Sequence, residues 1–411
     1  MTSKTQTTGE PKNRLWVISE LYFPEETSTG YYLTRIAEGL VDRFDVKVIS
    51  GQPNYSARGT VAPKQEEHRG VKIFRAGGTR LDKDVIVFRL INMLTLSCTV
   101  FVNALRRFKS GDRILVVTNP PTMPFVVALA SLFRGASYTL LIHDNYPEIL
   151  IAAKKIRSGS FPARTLSYFN RWLYKYAAKI IVVGRDMEEL AARKTDGLDI
   201  PIVTIPNWAE LESISPDDKK NNTLLIELGI ADKFVFLYAG NMGPLNDLES
   251  IVDCAEKLAA NTAIHFVFLG AGVKKQWLTD QVNTRSLVNV TVLEPRPRSE
   301  QQVFLNACDV AFVSLVDKMH GVSMPSRTYN ILAAGKPMIA LAQKNSELAR
   351  IIDEERVGWI VSPGSPQDLL DTINNVIGRT DELEEMGKRA RFAAETKYSL
   401  ETALEKYRDA L

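Results

Sequence analysis

Residues 234–258 read FVFLYAGNMGPLNDLESIVDCAEKL. An unbroken apolar run ends at Tyr238 or Ala239, Gly240 and Gly243 follow, and a helix-length segment begins after Asn246 and Asp247. A strand covered on both faces carries such a continuous run, and glycine lets the backbone turn tightly at its exit. The unit is strand, glycine loop, helix, with Asn246 or Asp247 as the helix cap. Comparable runs recur downstream as HFVFLGAG, NVTVLEP, VAFVSLV, PMIALA and VGWIVS, and upstream as RLWVISE, DVKVISG, RILVVTN, YTLLIHD and KIIVVGR. Helix-length segments lie between them, among them 31–41, 122–133, 163–178, 248–258 and 300–307. The alternation predicts an α/β architecture of two doubly wound, Rossmann-like domains, with ligands at the carboxyl ends of the strands.

The two series of strands are separated by PNWAELESISPDDKKNN, residues 206–222, whose prolines and polar run read as a hinge. We place a polar, disordered tail at 1–13, an N-terminal domain at 14–205, a C-terminal domain at 206–385 and a last helix at 386–411. The 411 residues are 45% hydrophobic and 24% charged with a net charge of +3, which gives no bulk-charge case for a nucleic-acid partner. Cys98, Cys254 and Cys308 lie far apart in apolar surroundings, so they read as buried free thiols in a reducing compartment. The longest apolar stretch runs from Val85 to Phe108, but only 16 uncharged residues separate Arg89 from Arg106. That is short of the ~20 needed for a span, so a buried helix is expected, with a helix near a membrane surface as the second reading.

The chemistry concentrates in HGVSMPSRTYNILAAGKP, residues 320–337. A loop containing Gly321 reaches Ser326 as an N-cap, Arg327 opens the helix, and Gly335-Lys336-Pro337 ends it. Free N–H groups, a positive dipole end and a fixed cation then converge on one place, which suits a diphosphate. Arg327 can grip phosphate bidentately. The Gly240 loop is neither a Walker A loop nor a dinucleotide fingerprint. The two loops together point to a nucleotide-sugar site.

In the N-terminal half, Glu20 follows the first strand and a flexible loop runs from Pro24 to Gly30. Its position suits an acceptor-facing role. His143 follows the run YTLLI; it fits either a sugar-hydroxyl contact or a satisfied structural histidine. Asp144 or Glu148 can orient a nucleophilic hydroxyl or carry its departing proton, and the sequence does not choose between them. Arg185 follows KIIVVG at the cleft edge, where an internal ion pair fits equally well. No histidine pair or paired carboxylate has the spacing of a metal site. The stretch FPARTLSYFNRWLYKYAAK, 161–179, mixes aromatic and basic side chains. It suits a lipid headgroup region or a helix packed on its own sheet.

On YAGNMG, IPNW and PSRTYNILAAGKP, and over residues 13–405, the chain resembles retaining nucleotide-sugar glycosyltransferases of family GT4 with a GT-B fold. Within that family it looks like bacterial O-antigen and capsule transferases of the N-acetylaminosugar or fucosamine branch. The resemblance implies two Rossmann-like domains facing across a cleft, with the last helix crossing back to the N-terminal domain. It puts Gly240, Asn241 and Asn246 along the donor loop, Glu294 near the base, and Ser323, Met324, Pro325, Ser326, Arg327 and Thr328 near the diphosphate and sugar. Asn330 falls at the ribose. His143, Asp144 and Arg327 are the implied catalytic residues, and Glu20, Thr29, Gly30, Glu148 and Arg185 the acceptor side. No cofactor and no metal is implied. The implied partners are a nucleotide-sugar donor, a glycan or polyprenyl-linked acceptor and peripheral membrane contact, without nucleic acid. The implied location is cytoplasmic, at the inner face of the bacterial membrane.

The chain departs from the family pattern at three places. A pair of glutamates in the donor segment is replaced by Val322 and Asn330, and the donor-loop lysine is absent from Pro244–Asp247. More weight therefore falls on Arg327. Two other readings stay open: an inactive nucleotide-sugar-binding partner of another transferase, and a soluble small-molecule glycosyltransferase.

Overall fold

The apolar runs become strands. In the computed structural model, which describes residues 12–53, 60–81 and 85–411, they assemble into two sheets. The tail expected over 1–13 lies outside the described residues as far as residue 11.

The first sheet is built from β1 (Arg14–Ser19), β2 (Asp45–Ser50), β3 (Gln65–His68), β4 (Val71–Arg75), β5 (Arg113–Val117), β6 (Ser137–Ile142), β7 (Lys179–Val182) and β8 (Ile202–Thr204). Among the described residues its order is β3-β4-β2-β1-β5-β6-β7-β8, and every pairing is parallel except the β3–β4 hairpin. The hairpin strand, QEEH, was not foreseen because it is polar throughout; such composition is typical of a short sheet edge.

The second sheet is parallel throughout. Its strands are β9 (Phe234–Ala239), β10 (Ile264–Leu269), β11 (Val290–Leu293), β12 (Val310–Ser314), β13 (Met338–Leu341) and β14 (Gly358–Val361), in the order β11-β10-β9-β12-β13-β14. One face is held by stacked rings: Phe236 lies 5.3 Å from Phe266 and 5.5 Å from Phe312, one ring on each of three adjacent strands. Both sheets are doubly wound, and their carboxyl ends face each other across a cleft.

The chain end departs from expectation. Instead of one helix over 386–411 there are two, Thr380–Thr396 and Leu400–Ala410, because Ser399 caps the second with its hydroxyl on the Thr402 amide at 3.2 Å. The first packs on the C-terminal domain. Its Gly387 touches Gly335, and Arg391 donates to the Ala333 carbonyl at 2.8 Å, closing the end of the helix that begins at Arg327. The second returns to the N-terminal domain. Leu404 fills the space a side chain at Gly39 would need, and Lys179 Nζ donates to the Ala410 carbonyl at 2.6 Å.

Two further expectations are corrected. Cys254 and Cys308 are buried, but Cys98 is exposed. It lies on the helix Ile86–Arg107, which was expected to be buried. Only the second half of that helix enters the core, through Leu96, Val100 and Ala104; Val87, Leu90 and Leu94 stand in solvent. By length and composition the segment Val87–Arg107 is able to cross a membrane.

Candidate active site

A cavity of about 530 Å³ opens between the two sheets. From the N-terminal domain it is lined by Glu26 and Thr27, in the loop after β1, and by Ser28 and Tyr32 of the helix that follows. From the C-terminal domain come the exits of three strands: Gly240 and Asn241 after β9, Gly270 and Ala271 after β10, and Pro295 and Arg296 after β11. Ser326, Arg327 and Asn330 complete it from the start of the helix Arg327–Ala333.

Glycine is required on the floor. Gly240 has φ +143°, and a Cβ there would sit 2.8 Å from Arg327 Cζ. A Cβ at Gly270 would fall 1.9 Å from the Gly240 carbonyl oxygen, far inside contact distance. The two strand exits therefore touch backbone to backbone, and the Arg327 guanidinium lies flat on the result. Its other neighbour is the Tyr238 ring, 4.7 Å from Cζ. Arg327 Nη1 is buried without a hydrogen-bond partner among the described residues. A donor that is charged, buried and uncommitted at a cavity wall is poised for an anionic ligand.

Other nominated donor residues are committed elsewhere. Asn246 is buried and braces the loop: its amide donates to the Asn241 carbonyl at 3.0 Å. Asp247 faces the next helix, accepting from the Ser250 amide at 3.0 Å and the Ser250 hydroxyl at 2.7 Å. It satisfies an amide in the first turn of that helix, the capping role the sequence offered. Ser326 does not cap its helix with its side chain; its hydroxyl lies 2.8 Å from that of Ser28, across the cleft. Thr328 and Met324 are buried under the loop rather than on the cavity wall. Pro325 takes the Thr328 amide on its carbonyl at 3.2 Å, and Ser323 pairs with Asp144 in an isolated antiparallel bridge.

Asn330 does reach the cavity, but its amide is spoken for. Nδ2 donates to Glu210 Oε1 at 3.0 Å and to Gln301 Oε1 at 2.8 Å, while Oδ1 accepts the Glu210 amide at 3.0 Å. One acceptor lone pair remains for a ligand. Glu294 is exposed and paired with Lys275 at 2.5 Å. The next residues, Pro295 and Arg296, are the ones that line the cavity.

The N-terminal nominees fall outside the cavity. The turn after β6 is clamped to the loop of Gly321, with the Asn145 amide on the Val322 carbonyl and Asn145 Nδ2 on the Gly321 carbonyl, both at 2.8 Å. His143 and Asp144 sit behind that clamp. His143 Nε2 is buried without a partner among the described residues, and burial lowers its pKa to about 4. Asp144 borders a small slot with Ile142, Leu166 and Tyr174, and burial raises its pKa to about 6. Glu148 pairs with Lys194 at 2.8 Å. Arg185, expected on the acceptor side, lies outside the cavity: it crosses between domains, its Nε 2.9 Å from Glu347 and its Nη1 2.7 Å from Glu354. Glu20 sits at the exit of β1, where its carbonyl accepts the Gly51 amide at 3.0 Å. Thr29 and Gly30 lie in the first turn of the helix Ser28–Gly39, one step past the residues that face the cavity.

Several lining residues were not anticipated, Ser28, Gly270 and Arg298 among them. Ser28 belongs to the nominated loop but was not chosen. Gly270 repeats the pattern of Gly240, a glycine straight after an apolar strand, so the signal was present in HFVFLGAG. Arg298 had no signal. It lies over the Tyr31 ring at 3.7 Å and is paired with Glu210 of the hinge, an arrangement only the folded chain creates. Among the described residues no cluster of His, Cys, Asp and Glu can hold a metal ion.

Comparison with known proteins agrees with this division. The family model for glycosyl transferase 4-like domains matches residues 28–208, and that for glycosyl transferases group 1 matches residues 223–392. The chain is 30% identical over 400 residues to the probable glycosyltransferase WbjE of Pseudomonas aeruginosa, covering 96% of each chain. It is 25% identical over 377 residues to WcaI of Escherichia coli K12, a glycosyl transferase named for colanic acid biosynthesis, covering 87% of this chain and 90% of that one. Among solved structures, Anabaena HepE in complex with UDP and glucose superposes with a TM-score of 0.72 at 16% identity, over 97% of this chain and 99% of that one. With two sheets meeting at a cleft, and a relative 30% identical along nearly its whole length, the chain belongs to the group 1 glycosyltransferase family and has the GT-B fold.

Proposed function

We propose that the protein is a retaining glycosyltransferase that moves a sugar from a nucleotide-sugar, a UDP-N-acetylaminosugar, to a hydroxyl of a lipid-linked or glycan acceptor. The observation that carries the reading is the uncommitted Nη1 of Arg327, buried at the wall of an interdomain cavity and seated on Gly240. The likeness of the fold to a protein solved with UDP and glucose supports a nucleotide-sugar donor. The relative named for colanic acid biosynthesis supports a surface polysaccharide as the product, and with it a cytoplasmic site of action.

The chemistry this geometry favours is electrostatic. The donor diphosphate lies against Arg327 and the backbone at Gly240 and Asn241. As the bond from the anomeric carbon to the phosphate oxygen breaks, negative charge grows on the diphosphate, and Arg327 stabilises it more in the transition state than in the ground state. The acceptor oxygen bonds to the anomeric carbon on the face the leaving group vacates, and its proton passes to the departing phosphate oxygen. No side-chain base is then needed, which suits the placement of His143 and Asp144 outside the cavity. Closure of the two domains excludes water, which would otherwise intercept the sugar.

The test is turnover across a panel of UDP-, GDP- and TDP-sugars, with Arg327→Ala beside the parent. A charge-assisted contact is worth ~1.5–3 kcal/mol, and more where charge develops. The expected loss in kcat/KM for the donor is therefore ~100-fold or greater. Unchanged turnover at limiting donor removes Arg327 from the mechanism.

A further inference from the structure

A second interdomain cavity, of about 650 Å³, lies on the hinge side of the first. It is walled by the helix Ser28–Gly39, by the hinge from Trp208 to Ser213 and by the start of the helix Leu400–Ala410. Glu26 and Arg298 line both cavities, so the two adjoin. Among the described residues these are the only two they share.

Three buried N–H donors in this wall have no partner among the described residues: Arg35 Nε, Trp208 Nε1 and Arg298 Nε. They come from the N-terminal domain, the hinge and the C-terminal domain in turn. Arg35 approaches Glu38 and Glu212 at 3.6 and 3.5 Å without a hydrogen bond to either. Trp208 Nε1 lies near the Tyr31 hydroxyl but outside hydrogen-bond geometry. Arg298 covers the Tyr31 ring at 3.7 Å. The three donors therefore gather around one side chain, and its titration registers them. Burial and Glu210 raise the Tyr31 pKa, while Arg298, Arg35 and Trp208 lower it. A buried donor left unpaired is costly, so three at one cavity call for a ligand that accepts.

The same wall holds six carboxylates, Glu25, Glu26, Glu38, Glu210, Glu212 and Glu401, against three arginines, Arg35, Arg69 and Arg298. That excess repels an anion, although the unpaired donors would suit one. A cation suits the carboxylates and leaves the donors unpaired. A hydroxyl both donates and accepts, so a neutral polyol satisfies both sets. Phe23, stacked on His68 at 3.8 Å, and Tyr31 add apolar surface for the C–H face of a sugar ring. The volume lies in the ordinary range of small-molecule sites. We propose that the hinge-side cavity is a second ligand site, which binds a neutral saccharide whose oxygens accept from Arg35, Trp208 and Arg298. The site is coupled to the first cavity. Glu210 lines it and holds both Asn330 and Arg298, which line the first. A sugar that fixes this network alters nucleotide affinity, and the nucleotide alters the sugar's affinity by the same factor. The inference goes beyond the transfer reading and does not require it.

The test follows the indole N–H resonance of Trp208 in the full chain, assigned with Trp208→Phe. The neutral probes are glucose, galactose, N-acetylglucosamine and maltotriose; glucuronate and glucosamine are the charged comparators. At least one neutral sugar shifts the resonance saturably at millimolar concentration, and the charged sugars bind about tenfold more weakly. Maltotriose binding more tightly than glucose assigns a glycan segment as the ligand; equal or weaker binding assigns a free sugar. Arg35→Gln weakens the sugar about tenfold, and Phe23→Leu serves as the second variant should Arg35→Gln melt well below the parent. Arg327→Ala, altered in the first cavity, binds the sugar like the parent. Saturating sugar changes UDP affinity about threefold or more. No shift with any neutral sugar overturns the proposal, as does tighter binding of glucuronate or glucosamine. So does parent-like binding in both Arg35→Gln and Phe23→Leu, or a shift lost in Arg327→Ala, which puts the sugar in the first cavity. UDP affinity unmoved by saturating sugar overturns the coupling. Sugar binding without turnover of any donor leaves this site standing and overturns the transfer reading. Turnover by a parent whose Trp208 resonance no sugar moves does the reverse.

Discussion

Gly240→Ala tests whether the guanidinium of Arg327 needs its backbone seat. The added Cβ would lie 2.8 Å from Arg327 Cζ, 2.9 Å from Nη1 and 3.1 Å from Nη2, so the whole fork is struck at once. Carbon atoms in contact normally stand ~3.5–4.0 Å apart, and the fork must lift by about 1 Å. The backbone cannot retreat instead, because the Gly240 carbonyl already abuts Gly270. Two costs follow. Alanine at φ +143° strains the chain by ~1–3 kcal/mol. At ~2–4 °C per kcal/mol for a domain of this size, the melting temperature falls by ~2–12 °C. The displaced fork also loses a charge-assisted contact worth ~1.5–3 kcal/mol, or ~10–150-fold in affinity for a nucleoside diphosphate.

The assay is calorimetric titration of UDP into the parent, Gly240→Ala, Arg327→Ala and the double variant. If the glycine acts through the arginine, the double variant binds no more than about twofold worse than Arg327→Ala alone. Gly240→Ala binding UDP as well as the parent, or losses that add fully in the double variant, would refute the reasoning. The first outcome says that the fork does not grip the ligand; the second says that the glycine matters by another route.

Two further outcomes follow from groups beside the cavity. Burial raises the pKa of Asp144 to about 6 in the folded chain, above the ordinary value of 3.8, so the native state holds a proton that the unfolded chain has released. The stability it confers is present at low pH and is lost as pH rises from about 4 to about 6. Asp144→Asn should melt higher than the parent at pH ~8, with the gap narrowing toward pH ~4; a gap that widens on acidification contradicts the buried carboxyl. Glu347 is buried and takes the Arg185 amide and Nε, both at 2.9 Å, across the domain boundary. Removing it in Glu347→Ala should cost about 1–3 kcal/mol of stability, discounted because Arg185 stays partly solvated. It should also enlarge the radius of gyration in solution scattering and weaken UDP binding several-fold; unaltered affinity in an expanded molecule severs closure from donor binding.

The fold was readable because its strands are continuously apolar and each ends in a recognisable turn. Gly240 and Arg327 were readable for the same reason: both sit at junctions where local chemistry leaves few alternatives. The failures share a different cause. Glu294 and Pro295 are adjacent at a strand exit, and a shift of one residue along extended chain reverses the side chain's direction. Thr29 was preferred to Ser28 because the start of the helix Ser28–Gly39 depends on Thr27, which accepts the Gly30 amide at 3.3 Å. Asn246 and Asn330 carry the right polar groups, but which partner claims an amide is settled by tertiary neighbours such as Glu210 and Gln301. The run of uncharged residues marked the stretch from Val85 to Phe108 as apolar without revealing where the sheet beneath it stops.

The contacts across the cleft give the loop at 320–326 a second role. Its backbone is held from the N-terminal side by Asn145, and the Gly321 amide donates to Asp186 at 3.0 Å. Ser326 meets Ser28, and Ser323 bridges to Asp144. The segment that delivers Arg327 to the cavity therefore takes its shape from both domains. A ligand that favours this shape favours the closed arrangement by the same free energy, because linkage between binding and conformation is reciprocal. The missing donor-segment carboxylates become less costly in such a scheme. Part of the grip they would supply directly can come from pre-organisation, with Glu210 of the hinge holding both Asn330 and Arg298 in place before the donor arrives. On this argument donor affinity is a property of the closed pair of domains, and the C-terminal domain alone would bind its nucleotide poorly.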